Sequence, residues 1–280
     1  MSIRKPSLAN STTAWIVGID LAWGDKRPDG LCLIRADRNH AEIVETMLTH
    51  GDDALLRWLK SCIPAEESVL LAIDAPLVVP NPTGCRPVDR QISVEFGKYH
   101  AACHSANSQR CARPLRIANL LLSVGFSIDF DLKKGARMAT EVYPHPAMIR
   151  LFEIEKIIKY KKGVVAARRQ EFARLQDLLR ASLKRSFPKV AVPPTVEKLL
   201  SAPWSKGSED QTDALFCALI GYRHWETEGL LCDVVGTLEH GFILLPPKQQ
   251  SGFTLFRWPS GEAMVTSEFV NHLRDEDPYG

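Results

Sequence analysis

Residues 69–73, VLLAI, form an unbroken apolar run that ends on Asp74, which is followed by Ala75 and Pro76. Such a run predicts a short strand buried on both faces, as in a sheet that is covered by helices. The chain has 280 residues, of which 45% are hydrophobic, and this is enough to enclose such a sheet in a large core. A carboxylate at the tip of a buried strand costs desolvation free energy unless another group compensates it. We therefore expect Asp74 to be either a structural cap or a ligand of a cation.

The order of the predicted elements indicates a mixed α/β sheet. Residues 14–22 (AWIVGIDLA) predict a first strand, and the strand-like runs over 30–37 and 41–49 follow closely enough to form an antiparallel meander with it. After a helical crossover, residues 68–74 and 138–143 predict two more strands, which would lie parallel to the first. The sequence thus predicts an α/β fold with a mixed five-stranded sheet flanked by helices.

Several segments between and after these strands predict helices from their apolar spacing, at 52–62, 88–102, 114–124, 147–158, 164–183 and 209–226. We expect a flexible tail over 1–13 and one domain over 14–246, with a basic helical insertion around 156–189. Residues 247–280 are expected to form an appended element packed on the same domain. In the C-terminal region, TLEHGFILLP and FTLFRW predict short strands, followed by a last helix.

The cysteine pattern and the absence of long apolar segments indicate the compartment. The seven cysteines are odd in number and include no C-x-x-C pair, which favours reduced thiols over a disulfide framework. The N-terminus lacks the apolar core of a secretory signal, and no stretch has the length of a membrane span. We expect a cytoplasmic protein that has no membrane partner.

Five acidic residues fall at related places in this order of elements. Asp20 lies near the end of the first strand, Asp74 ends the fourth, Glu141 lies in the fifth, and Asp210 and Asp213 open the last long helix. In an open α/β sheet, binding sites form at the carboxyl ends of parallel strands. Carboxylates that share an apolar setting repel one another unless a cation neutralises them, and Mg²⁺ or Mn²⁺ prefers such oxygen ligands. Two ions about 4 Å apart could clamp the attacking water and the leaving oxygen of a phosphodiester.

Each carboxylate also has a structural interpretation. An aspartate before Ala-Pro suits a turn or a helix cap, which applies to Asp74, and Glu141 could face solvent. A capping box that begins at Ser208 would make Asp210 a residue that favours the helix dipole. Asp213 is harder to explain in this way, because the buried face of the helix begins beside it. The shared placement of the five residues, rather than any one of them, favours a metal site.

Four segments, GIDLAWG, AIDAPL, EVYPHP and SEDQTDALFCALIGY, together resemble the domain-of-unknown-function family 429, a family described as predicted nucleases with an RNase H fold. The resemblance covers roughly residues 14–246, and it implies an RNase H-like sheet with strand order 3-2-1-4-5. Asp210 to Ala214 (DQTDA) is also similar to the D-x-x-D-A that opens the last helix of Holliday-junction resolvases with this fold. The resemblance implies that Asp20, Asp74 and Glu141 are ligands and that Asp213 or Asp210 closes the site.

A concentration of positive charge lies between the third and fourth acidic positions. Residues 156–189 hold eleven Lys or Arg against two acidic residues, a local charge of +9 in a chain whose net charge is +2. Such a segment could contact a phosphate backbone, or it could be the solvated face of a helix. The candidate contacts are Lys161, Lys162, Arg168 and Arg169, with Arg90 added from CRPVDR (85–90), which resembles an Arg/Asp-containing segment of the same family.

Two further groups of residues could carry chemistry. His145 lies close after Glu141 and could assist proton transfer, although Pro144 and Pro146 on either side of it suit a rigid turn. A small set of His and Cys could hold zinc, but its spacings match none of the common zinc fingers: Cys85, His100, Cys103, His104 and Cys111. The sequence contains none of the usual glycine-rich phosphate loops, and no serine-hydrolase or zinc-protease signature.

The leading hypothesis is a nuclease that hydrolyses phosphodiester bonds with two Mg²⁺ or Mn²⁺ ions. Asp20 would bridge both ions, Asp74 and Glu141 would bind one each, and Asp213 would complete the site. One alternative is a non-catalytic nucleic-acid-binding module on the same fold. The other is an ATP-dependent phosphotransferase of related fold in which GIDLAWG contacts phosphate. The sequence indicates no oligomeric state.

Overall fold

The first four strands follow the predicted apolar runs. In the computed structural model, which describes residues 7–247 and the backbone of 256–257 and 263–264, β1 (Thr13–Asp20), β2 (Asp29–Asp37) and β3 (Ala41–Thr49) form an antiparallel meander. Strand β4 (Val69–Ile73) lies beside β1 and runs parallel to it. All five residues of β4 are buried, as an apolar run covered on both faces requires.

Three further strands complete the central sheet: β5 (Ser127–Ile128), β6 (Arg137–Glu141) and β7 (Val190–Ala191). The strand order is β5-β6-β4-β1-β2-β3-β7, and four of the six pairings are parallel. The sheet therefore has seven strands rather than the five that the sequence predicts. Both unpredicted strands lie at the edges and are two residues long, too short to produce a periodic apolar pattern.

Seven helices are present in the described chain: α1 (Asp52–Cys62), α2 (Pro87–Phe96), α3 (Ala112–Ser123), α4 (Pro144–Phe152), α5 (Val165–Ser186), α6 (Pro194–Leu199) and α7 (Lys206–Glu226). Two of them end before the sequence predicts. After α2 the chain tightens into a 3₁₀ turn over Gly97–Tyr99, and His100 takes a left-handed conformation with φ of 64°. At the end of α4, Glu153 has φ of 53° and stops the helix.

Helices cover both faces of the sheet. One face packs residues such as Val17, Ile19 and Leu71 against α1 and α3. The opposite face packs Ile16 and Leu70 of the sheet against α4, α5 and α7. The two sets of sheet residues alternate along each strand because successive side chains point to opposite faces. No helix in the described part of the chain is both long enough and apolar enough to cross a membrane.

Helix α7 lies directly on β1 and β2 at two glycines. A Cβ atom at Gly18 would overlap the backbone carbonyl oxygen of Ala214, and one at Gly30 would overlap that of Asp210. Only residues without a side chain permit this approach. The N-terminal turn of α7 therefore lies against the end of β1, where Asp20 is found.

The segments before β1 and after α7 add further structure to the fold. Residues 7–12, expected to be part of a flexible tail, pack on the domain through the buried Leu8 and a hydrogen bond from its backbone N–H to the carbonyl oxygen of Gly135. After α7, strands β8 (Asp233–Thr237) and β9 (Gly241–Leu245) form an antiparallel hairpin.

The chain divides into two compact units, residues 1–247 and 248–280. In the second unit, β10 (Phe256–Arg257) pairs antiparallel with β11 (Ala263–Met264). The predicted packing of this C-terminal element and its predicted last helix lie outside the described residues.

Candidate functional site

Asp20 and Asp74 lie side by side at the carboxyl ends of two neighbouring parallel strands. Ile19 pairs with Ile73 in the register of β1 and β4, and the backbone N–H of Asp74 donates to the carbonyl oxygen of Ile19 over 2.9 Å. The alternation of each strand turns both carboxylates toward α7. Both residues are half-buried, and neither carboxylate has a hydrogen bond or an ion pair to any part of the chain that the structure describes.

The electrostatic setting of this pair favours a positive partner. Burial raises the pKa of Asp74 to about 7; Lys161 opposes that rise, and the charges of Asp213 and Glu141 add to it. Burial likewise raises the pKa of Asp20 well above its usual value, again against the effect of Lys161. Both carboxyls therefore hold protons more tightly than exposed ones do, and a cation at this place would allow them to ionise.

Helix α7 adds two buried carboxylates to the same place. Asp213 is fully buried; its Oδ1 accepts a 2.6 Å hydrogen bond from the hydroxyl of Tyr160, and its Oδ2 lies 2.7 Å from the Lys161 Nζ. Asp210 pairs through Oδ1 with the Nζ of Lys206 at 2.7 Å. The Oδ2 of Asp210 is buried and accepts no hydrogen bond from the described residues. Two of the four carboxylates are thus neutralised by lysines.

The carboxylates of Asp20, Asp74, Asp210 and Asp213 are called the acidic group below. Lys161 lies among them rather than on an outer basic surface. Burial alone would lower the pKa of its ammonium, but Asp213, Tyr160, Asp20 and Asp74 together raise it well above the usual value. The sequence predicts Lys161 as a nucleic-acid contact. Its position among the carboxylates follows from a loop between α4 and α5, and no local pattern in the sequence marks it.

Glu141 does not join the other carboxylates as a free group. Its two oxygens accept hydrogen bonds from the Arg86 guanidinium at 2.6 and 2.8 Å, and one of them also accepts from the backbone N–H of Leu77. Glu141 lies two residues after Ala139 in β6, so its side chain is on the same face of the sheet as that of Ala139, opposite α7. In this structure Arg86 engages both oxygens of Glu141, and the prediction that Glu141 binds a metal beside Asp74 stays a prediction. Arg86, which the sequence analysis did not single out, is its partner.

A cavity of about 560 Å³ opens beside Asp20 and Asp210. Its wall is the loop over residues 22–28, with Lys161 and Lys206 on the other side. The loop is held by Arg113 of α3, which is buried and forms a bidentate ion pair with the buried Asp29. Sequence reasoning missed Arg113 as well, because its partner lies 84 residues earlier.

The other predicted nucleic-acid contacts are dispersed. Lys162 and Arg169 are exposed, close along the chain to Lys161 and at the start of α5. The guanidinium of Arg168 stacks on the Trp204 ring at 4.2 Å from its centroid. Arg90 is exposed and donates to the carbonyl oxygen of Cys85; it lines a separate groove beside α2. The structure therefore brings only Lys161 to the carboxylates.

No ready-made metal centre is present in residues 7–247: among them, no three His, Cys, Asp or Glu side chains are arranged to hold an ion. The His and Cys residues of the zinc alternative therefore form no such group, and Cys85 instead contacts the Ser105 hydroxyl at 2.9 Å. The acidic group forms no such arrangement either, and two of its members are paired with lysines, Asp213 with Lys161 and Asp210 with Lys206. His145 lies nearby, and burial together with Lys161, His104 and Lys162 lowers its pKa to about 3, so it is neutral at physiological pH.

Comparison with known proteins identifies the family of the chain. A family model described as a protein of unknown function (DUF429) matches residues 18–234, which include Asp20, Asp74 and the whole of α7. No curated protein and no solved structure gives a significant match to the chain.

Proposed function

Because the chain belongs to the DUF429 family, whose function is unknown, we propose its activity from the site itself: metal-dependent hydrolysis of phosphodiester bonds in nucleic acid. The fold expectation that accompanies this proposal is an RNase H-like domain. It is supported by the consecutive strands β3-β2-β1-β4-β6, in which an antiparallel meander continues into two parallel strands.

The observation that carries the proposal is the pair of half-buried carboxylates, Asp20 and Asp74, which have no hydrogen-bond or ion-pair partner among the described residues. A structural cap would have such a partner, because a capping carboxylate accepts a backbone N–H. Their place at the carboxyl ends of two parallel strands, where binding sites form in open α/β sheets, favours a ligand.

The donor set suits a hard divalent cation such as Mg²⁺ or Mn²⁺. Asp20 and Asp74 would hold it, and Asp210 would supply its unpaired Oδ2 after a shift toward them, because the three are not arranged as a ready-made site. Such a cation lowers the pKa of a bound water and neutralises charge on a phosphate. Glu141 is left out of this set, since Arg86 engages both of its oxygens. The role of Glu141 is to fix the segment after β4 through the N–H of Leu77, which positions Asp74.

Two lysines beside the carboxylates, Lys161 and Lys206, have a second role in this proposal. Lys161 and Lys206 neutralise Asp213 and Asp210. If a divalent cation took over that neutralisation, both ammonium groups would become available to the phosphate of a substrate. Tyr160 keeps Asp213 oriented meanwhile through its 2.6 Å hydrogen bond.

Calorimetric titration of Mn²⁺ into the metal-free protein tests the proposal, together with cleavage assays on single-stranded and duplex DNA and RNA. We expect saturable binding and metal-dependent cleavage, both lost in Asp20→Asn and in Asp74→Asn. Asp53→Asn removes the same charge from the exposed start of α1 and should leave both unchanged. Equal binding in all four proteins, or cleavage that survives in Asp20→Asn, would overturn the proposal.

A second candidate function is a nucleic-acid-binding module without catalysis. It is favoured by the two lysine pairs, which already neutralise half of the acidic group without a metal. Salt-sensitive binding of nucleic acid, with no heat of Mn²⁺ binding and no cleavage, would support this candidate over the nuclease.

A further inference from the structure

The cavity beside Asp20 has an aromatic wall and two exposed cations. Trp23, Lys26 and Arg27 line it and lie on the loop that joins β1 to β2. Trp23 is half-buried and packs against the hydrophobic core. Lys26 and Arg27 are exposed, and neither forms an ion pair with the described part of the chain. The lysines across the cavity differ in this respect, because both are paired with aspartates.

The loop that carries these three residues is held in place at both ends. The Asp29 carboxylate accepts a hydrogen bond from the backbone N–H of Ala22 at 2.8 Å and a bidentate ion pair from Arg113. Arg113 also donates to the carbonyl oxygen of Ala22 at 2.6 Å and to Asp52 at 2.9 Å. Because Arg113 and Asp29 are both buried, the wall is fixed before any ligand arrives.

The chemistry of the wall suits a nucleotide. A tryptophan offers a stacking surface to a base of any sequence, and unpaired cations attract the adjoining phosphates. A volume of about 560 Å³ is typical of sites that bind one small ligand. Within a duplex both faces of a base are covered by its stacked neighbours, so only an unpaired base could stack on Trp23. Asp20 at the edge of the cavity places the acidic group next to the phosphate of an enclosed nucleotide.

We propose that this cavity binds one unpaired nucleotide, with its base against Trp23 and its phosphate between Lys26 and Arg27. The substrate is then a single strand or an unpaired end rather than continuous duplex. This inference rests on the proposed function for its chemistry, but the binding itself needs no metal.

Fluorescence anisotropy in EDTA tests the binding separately from cleavage. The probes are a labelled single strand of about 10 nucleotides, within the ~4–16 that such sites span, and a blunt duplex of the same sequence. We expect the single strand to bind at least about 10-fold more tightly. Trp23→Ala should weaken single-strand binding by about 10-fold, while Trp23→Phe, which keeps an aromatic face, should retain most of it.

The same assay, carried out over a range of salt concentrations, tests the contribution of Lys26 and Arg27. Removal of Lys26 and Arg27 together by alanine should reduce the magnitude of the slope of log affinity against log salt by about 0.7, the value for the one phosphate that they hold. Arg57→Ala with Lys60→Ala removes two exposed cations from α1 as a charge-matched control and should leave the slope unchanged.

The outcomes separate this inference from the proposed function. Equal or tighter binding of the duplex, or variants at Trp23, Lys26 and Arg27 that bind as the wild type does, would overturn the nucleotide cavity even if metal-dependent cleavage is found. Binding that depends on Trp23, in a protein that cleaves nothing with Mn²⁺, would retain the cavity and overturn the nuclease.

Discussion

Asp74 is the residue whose titration most directly reports on the site. Its pKa of about 7 in the folded, metal-free protein compares with about 3.9 in an unfolded chain. Between these values the folded state holds a proton that the unfolded state has released, so the free energy of unfolding must fall as pH rises through this window. We expect a loss on the order of 2 kcal/mol between about pH 5 and pH 7, with screening of the half-buried group taken into account.

Urea denaturation in EDTA at several pH values measures this loss. The pH dependence should be flatter in Asp74→Asn and unchanged in Asp53→Asn. Because Mn²⁺ competes with the same proton, its affinity for the wild type should rise over the same window. A wild-type pH dependence retained in Asp74→Asn would contradict the assignment of the raised pKa to this carboxyl.

Glu141 provides the opposite test, because its position argues against a role as a ligand. We expect Glu141→Gln to keep its Mn²⁺ affinity within a fewfold of the wild type. Its free energy of unfolding should fall by about 1–3 kcal/mol, since the buried Arg86 loses one of its two carboxylate partners and keeps the other, Asp89. Calorimetry and urea denaturation measure the two quantities. A folded Glu141→Gln protein that binds Mn²⁺ as poorly as Asp74→Asn would restore Glu141 as a ligand.

At the scale of elements, the contact of α7 with the sheet decides whether the acidic group assembles. Gly30→Ala would insert a methyl group against the carbonyl oxygen of Asp210 and push the first turn of α7 away from Asp20. We expect the free energy of unfolding to fall by about 1–3 kcal/mol and Mn²⁺ binding to weaken at the same time. Gly97→Ala is the matched control, because a Cβ there meets no atom within 4 Å. Unchanged stability and binding in Gly30→Ala would show that α7 can shift freely.

The sequence was sufficient for the elements with a strong apolar pattern. The long strands and α7 lie close to their predicted ranges, since each contains enough buried residues to display its period. The two-residue edge strands contain no such period, and their pairing depends on neighbours brought close by the rest of the fold. The end of α4 at Glu153 was missed because a left-handed residue there has no glycine to mark it.

The site was predictable only as far as strand order allows. Asp20 and Asp74 follow from two parallel neighbours that end together, which the spacing of elements already indicates. The pairing of Glu141 with Arg86 depends on which face each residue of β6 occupies relative to β4, and a shift of one residue reverses that face. Lys161 enters through a loop, where no periodicity fixes the direction of a side chain.

For the whole molecule, charge is distributed unevenly in a way that the net value of +2 conceals. In the basic segment 156–189, several cations pair with acidic neighbours, as Arg180 does with Asp177. Six others are exposed and form no ion pair with the described residues: Lys156, Lys159, Lys162, Arg169, Lys184 and Arg185. A positive field therefore remains around α5, while the acidic group is concentrated at the carboxyl ends of β1 and β4.

This field predicts a nucleic-acid affinity that depends on salt more than a chain of net charge +2 would suggest. Lys162 and Arg169 lie next to the loop that carries Lys161. Replacement of both by glutamine should reduce the magnitude of the slope of log affinity against log salt for single-stranded DNA by about 1.4, at ~0.7 per phosphate contact. Lys133→Gln with Lys134→Gln removes two exposed cations from the turn before β6 and should leave the slope unchanged. Anisotropy titrations over a range of salt concentrations measure both slopes. Equal slopes in the two double variants would mean that the positive segment is a solvated helix face, and that phosphate contacts at the cavity loop alone hold the strand.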